Sequence, residues 1–103
     1  MATEVTSISA EKLEAVAFIL KTIAHPSRIA MIDMLKNGEE LSVGEISSKL
    51  GLEQSLTSHH LSNMKLKGIL GSRREGRSIF YFLKLKEVIS VIKCMESCAA
   101  ISL

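Results

Sequence analysis

The densest run of hydrogen-bonding side chains in this sequence is Gln54 and Ser55, then Thr57, Ser58, His59 and His60. Their types suit base edges. A Gln amide can bond adenine at two atoms, and Ser or Thr hydroxyls can reach bases or phosphates. Lys49 and Lys65 flank the run, and a cationic stretch follows at Arg73, Arg74 and Arg77. Those cations suit phosphate oxygens or a narrow minor groove. A second pair with chemistry is Cys94 and Cys98. Thiolates at that spacing can hold a thiophilic metal or metalloid such as arsenite, or respond to oxidants. Free cysteines are also commonly small buried hydrophobes, so the pair stays open between sensing and packing.

Elements that position these residues follow from periodicity and caps. A first helix spans 9–24, with Ser9 as N-cap and Leu13, Val16, Ala17, Leu20 and Ile23 recurring at helical spacing. Pro26 suits the first turn of a second helix, 26–36, which Asn37-Gly38 stops. Leu41-Ser42 is a short strand or an extended linker. Ser42 and Glu45 form an S-x-x-E capping box for a third helix ending at Gly51. A fourth helix follows over 54–67, with Leu56, Leu61 and Met64 inward and Gly68 at its end. The period then becomes alternating: strands 69–74 and 78–83, joined by Glu75-Gly76-Arg77 as a hairpin turn. A last helix, about 85–100, carries Val88, Ile89, Ile92, Met95 and Ala99. The arrangement predicts a mainly α fold with a small β-hairpin, in the order α-α-α-α-β-β-α. Two short helices around Gly51-Leu52-Glu53 make a helix-turn-helix, and the hairpin is its wing.

At 103 residues the chain is one domain, 1–103, with 1–8 expected as a disordered tail. Net charge is only +2, but it is unevenly spread: −2 over residues 1–40, +3 over 41–83 and +1 over 84–103. The basic excess falls on the block that holds the helix-turn-helix and wing. No stretch is apolar for the ~18 residues a spanning helix needs, and no secretory signal opens the chain. The cytoplasm is the expected location, with no membrane partner. There is no P-loop, G-x-S-x-G or HExxH, and Glu39-Glu40 have no His in their motif, so an enzyme is not expected. Hydrophobic residues make up 47% of the chain while aromatics make up only 4%. A domain this small buries a limited share of its surface, so the aliphatic excess at both ends points to a partner.

Several residues have plain structural readings. His25 at a helix start is expected to make a local hydrogen bond, His60 to pack or bond within the motif, and His59 to face outward. Met31, Met34, Met64 and Met95 read as core filling. Ile79, Tyr81 and Leu83 share a strand face expected in the core, which leaves Phe80 and Phe82 on the other.

Four ordered motifs resemble the ArsR/SmtB family of winged-helix repressors, over about residues 13–95. Leu20 to Ile29 resembles "LKaLahPtRl", and Glu40 to Ile46 resembles "ELsVgeL". Ser55 to Leu61 resembles "StvSxHL", and Gly76-Arg77 with Tyr81 and Leu83 resembles "GRxxxYxL". The resemblance implies a homodimer through the first and last helices, with Leu13, Val16, Ala17, Leu20, Val88, Ile92 and Met95 at the seam. It implies a double-stranded, partly palindromic DNA operator and base reading by Gln54, Ser55, Ser58 and His59. It also implies repression relieved by a signal. The family's third-helix cysteines correspond to Ser42 and Gly44 here. Residues 85–103 hold no His or Asp, so the last-helix metal site is absent. A dithiol type would need a cysteine where Asp33-Met34 stand. No metal or cofactor is therefore assigned, apart from a thiophile at Cys94 and Cys98. Two alternatives remain: a thiol-based arsenite, soft-metal, sulfur or redox sensor using those cysteines, and a winged helix that binds only protein. The polar start of the fourth helix argues against the latter.

Overall fold

The computed structural model describes residues 7–98. Five helices and three strands follow one another: α1 (Ala10–Ile23), α2 (Pro26–Met34), β1 (Leu41–Ser42), α3 (Val43–Leu50), α4 (Gln54–Leu66), β2 (Leu70–Glu75), β3 (Ser78–Leu83) and α5 (Glu87–Glu96). Local chemistry accounts for most boundaries. The Ser9 hydroxyl accepts from the Lys12 amide at 3.2 Å and starts α1. Pro26 occupies the first turn of α2, where its missing N–H costs no bond. In the Ser42–Glu45 capping box, the Glu45 amide donates to Ser42 Oγ at 3.1 Å. The Ser42 amide in turn donates to Glu45 Oε1 at 2.8 Å. Helices α3 and α4 stop by the same device. Gly51 and Gly68 take φ of +66° and +83°. The following amides, of Leu52 and Ile69, reach back to the Ser47 and Met64 carbonyls at 3.0 Å.

Leu41-Ser42 is a strand, not a linker. It pairs antiparallel with β3, Leu41 opposite Tyr81, and completes a three-stranded sheet in the order β1-β3-β2. The wing turn is tighter than the expected three residues. Glu75 pairs with Ser78, so only Gly76 and Arg77 turn the chain. Gly76 has φ +63° and Arg77 does not have positive φ, the signature of a II′ hairpin. Opposite Gly71 lies Phe82, whose ring covers the glycine so closely that a Cβ there would lie 2.5 Å from the ring. Phe80 faces Arg73, whose guanidinium carbon sits 4.8 Å from the ring centroid. The two phenylalanines thus pack across the strand pair.

Met31, Ile32, Leu35, Ile46, Leu61, Met64 and Ile69 form a fully buried centre, to which Tyr81, Leu83 and Val88 add. Several expected inner residues lie elsewhere. Leu56 is exposed, because the buried stripe of α4 is Thr57, Leu61 and Met64 at the i, i+4, i+7 spacing of one face. Ile79, near the wing tip, is exposed, and Met95 is 52% exposed. Conversely, Val88 is 3% exposed and belongs to the subunit's own core, so it is unavailable to a dimer seam. Ile92 is half-buried against that core. The Ala99 position lies outside the described residues.

Helix α1 buries only Thr22 and Ile23 near its C-terminal end. Leu13, Val16, Phe18 and Leu20 are exposed along it, as are Val91 and Met95 on α5. Between α1, α2 and α5 runs an apolar groove of about 690 Å³, lined by Leu20, Ile29, Val91 and Met95 among others, with Asp33 and Glu96 beside it. Among the described residues no single helix is long and apolar enough to cross a membrane.

Candidate nucleic-acid interface

The exposed side of α4 carries the polar run. Gln54, Ser55 and His59 are exposed and Ser58 is half-buried. Ser55, His59 and Ser62 form one outward row at i, i+4 and i+7. Ser62 Oγ donates to the Ser58 carbonyl at 2.6 Å, which occupies its own proton. Thr57 does not belong to this surface. It has no exposed area, and its hydroxyl donates to the Glu53 carbonyl at 2.9 Å. A β-branched methyl facing the core and a hydroxyl satisfied on the preceding turn make it a packing residue. Leu56, at 44% exposure beside Gln54 and Ser55, brings an apolar group to the surface that the sequence reading had placed inside. Counting from Leu61, Leu56 is five residues away, about 140° round the helix, whereas Thr57 is four. That spacing was the available signal.

The wing arginines differ from one another. Arg73 forms an ion pair with Glu40 from the segment before β1, lies 3.5 Å from Glu75, and covers the Phe80 ring. Its charge is largely answered within the protein. Arg74 and Arg77 are exposed and in no ion pair among the described residues, as are Lys49 and Lys65. Of the cations that the sequence places around α4 and on the wing, these four are the unpaired ones.

Behind α4 lies a residue that sequence reading missed. Arg28 on α2 is only 7% exposed. Its Nε donates to His60 Nδ1 at 2.9 Å. Its Nη1 donates to Asn63 Oδ1 at 3.0 Å and to the Thr22 carbonyl at 2.8 Å. No carboxylate pairs with it among the described residues. His60 therefore bonds outside the helix-turn-helix, to α2. Burial first, then the nearby charges of Arg28, His25 and His59, hold the His60 imidazole below its ordinary pKa. His25 makes no side-chain capping bond, and its ring lies 5.8 Å from that of His60.

Cys94 and Cys98 are both exposed and unbridged, so neither is a buried hydrophobe of the subunit. They do not share a continuous helix. α5 ends at Glu96, with Ser97 capping it, and Cys98 lies beyond. Among the described residues, no three side chains of His, Cys, Asp or Glu gather where a metal ion would fit.

A helix-turn-helix whose second helix presents polar side chains, followed by a cationic two-stranded wing, defines a winged helix-turn-helix protein. The sequence profile of the bacterial regulatory protein, arsR family, matches residues 25–72. Transcriptional activator HlyU of Vibrio cholerae is 40% identical over 84% of this chain and 80% of its own length. The structure of HlyU from that species superposes with a TM-score of 0.77, at 34% identity over 85% of this chain and 95% of its own. Transcriptional repressor PagR of Bacillus anthracis is 37% identical over 82% of this chain and 84% of its own length, and its crystal structure matches with a TM-score of 0.74. A homodimeric winged helix-turn-helix DNA-binding domain from Mycobacterium bovis matches with a TM-score of 0.75, at 26% identity over 95% of this chain and 90% of its own. The chain belongs to the arsR family of DNA-binding transcriptional regulators.

Proposed function

We propose that the chain is a homodimeric, sequence-specific repressor that works in the cytoplasm. Each subunit inserts the start of α4 into one major groove. Gln54, Ser55, Ser58 and His59 meet base edges, and Leu56 offers an apolar contact for a thymine methyl. Arg74, Arg77, Lys49 and Lys65 meet the backbone outside the groove, and Arg73 mainly braces the wing. The observation that carries this reading is the exposed polar row on α4 beside two arginines left unpaired on the wing. Two-fold symmetry of the dimer would require an operator of partial palindromy, with half-sites about one helical turn apart.

The seam is assigned to the exposed apolar side chains of α1 and α5: Leu13, Val16, Ala17 and Leu20, with Met95 and part of Ile92. Val91 joins them in place of Val88. These side chains would otherwise leave an apolar surface in water. A thiol-responsive version of the repressor is the second reading. It is favoured by the exposure of Cys94 and Cys98, which would let a thiophile or oxidant reach both.

Selection of duplexes from a random-sequence library, followed by fluorescence anisotropy, tests the proposal. A consensus of two inverted half-sites, with affinity falling steeply as salt rises, is the expected result. Gln54→Ala is expected to reduce discrimination at one base pair of each half-site by about 1–3 kcal/mol. Binding that ignores sequence would leave a protein-binding winged helix as the better reading. Comparing cysteine alkylation with and without arsenite or polysulfide tests the thiol reading; equal rates would remove it.

A further inference from the structure

We propose that Arg28 is a positioning residue for α4, and that His60 makes this joint hold only while its imidazole is neutral, so that acidification weakens operator binding. The proposal rests on the reading of α4 as the base-reading helix. Arg28 reaches from α2 to two side chains of α4, His60 and Asn63, which lie three residues apart on one side of the helix. The same guanidinium binds the Thr22 carbonyl in the last turn of α1, where a cation also suits the helix dipole. One buried side chain thus joins three helices. Core packing by Leu61 and Met64 holds α4 against the body, but these apolar contacts have no direction. Hydrogen bonds from a planar guanidinium do, so they set how α4 is turned.

The joint has a defined protonation requirement. A guanidinium keeps its proton at every accessible pH, so Arg28 is only ever a donor. An imidazole accepts through a nitrogen that carries no proton. A protonated His60 would set N–H against N–H across the 2.9 Å contact and place two positive charges together. Nothing nearby would offset that. The titratable or charged groups facing His60 are Arg28 on α2, His25 just before that helix and His59 on its own helix, and none is a carboxylate. Burial and these neighbours lower the His60 pKa, and the geometry makes its protonation cost the bond.

The test uses the full chain and a duplex selected by wild-type protein at about pH 8. Affinity is measured at constant ionic strength down to about pH 5, across the range in which His titrates. The variant is His60→Asn, whose carbonyl oxygen can accept from Arg28 and does not titrate. Wild-type affinity is expected to fall by about tenfold, the scale of one hydrogen bond to a charged group. His60→Asn is expected to bind like wild type at the alkaline end and to lack the fall on acidification. A flat wild-type profile, or the same fall in His60→Asn, overturns the proposal. A second readout needs neither DNA nor a variant that folds. The Arg28 Nε–H resonance of the free protein should be protected at the alkaline end and be lost together with His60 titration. Persistence of that resonance after His60 has titrated overturns the joint. If wild type selects no duplex, the DNA reading fails while this resonance still decides the joint.

Discussion

In the body formed by α2, α3, α4 and the wing, Ile46, Leu61 and Met64 have no exposed surface, and the buried polar side chains all have partners. On α1 and the second half of α5 the pattern reverses: Val16 is 49% exposed and Met95 52%. Both regions are helical and aliphatic, so composition does not separate them. What separates them is closure. The body folds back on itself through the sheet and the Arg28 joint, whereas α1 packs mainly at its C-terminal end. An aliphatic side chain left in water contributes nothing to stability until a partner covers it. The body is therefore the part that a single chain can stabilise, and α1 with α5 is the part suited to a second copy.

Substitutions should separate the two regions by what they change. Leu61→Ala is expected to have the largest effect on stability, about 2–5 kcal/mol in urea unfolding, because it opens a cavity in a closed core. Gly71→Ala comes next, at about 1–3 kcal/mol, since the Phe82 ring must leave its place over the glycine. Val16→Asp should change the unfolding free energy of dilute, monomeric protein by less than about 0.5 kcal/mol, as at an ordinary surface site. It should nevertheless shift sedimentation at high concentration from dimer to monomer. If Val16→Asp unfolded the monomer, α1 would belong to the body and the comparison would fail. On the wing the effects are smaller and electrostatic. Arg77→Ala is expected to lower the slope of log affinity against log salt by about 1, without changing base preference. Arg73→Ala should lower it by less, because Glu40 and Glu75 already answer that charge. Equal slopes for the two variants would show that Arg73 leaves its carboxylates to meet DNA. Thr57→Val should change neither sequence preference nor salt dependence, as expected for a buried packing residue.

How much was legible differs by the kind of signal. Helix starts and stops were readable from a few neighbouring residues. Ser9, Pro26, the Ser42–Glu45 box, Gly51 and Gly68 all act within one turn of where they stand. The polar run on α4 and the basic wing were likewise readable as types in order. Facing was less so. Polarity alone ranks Leu56 as inner and Thr57 as surface, whereas angle round the helix ranks them the other way. Thr57 can be buried because its hydroxyl is satisfied by its own backbone, which removes the usual cost of burying a polar group. The family resemblance puts Val88 at the seam because it lies on the last helix. Only the way α5 lies on the core shows that this subunit covers it.

The sequence by itself determined the element order, the caps, the helix-turn-helix with its wing, and the residue types along α4 and the wing. These depend on interactions among residues a few positions apart, which the linear pattern contains. Tertiary structure alone decided which arginine is free. Arg28, 32 residues before His60 and 35 before Asn63, is buried as a joint. Arg73 meets Glu40 across 33 residues of chain and braces the wing, while Arg74 and Arg77 face outward. Identical side chains take three different roles because a charge is assigned by the groups around it in space, and those groups are brought together only when the chain closes.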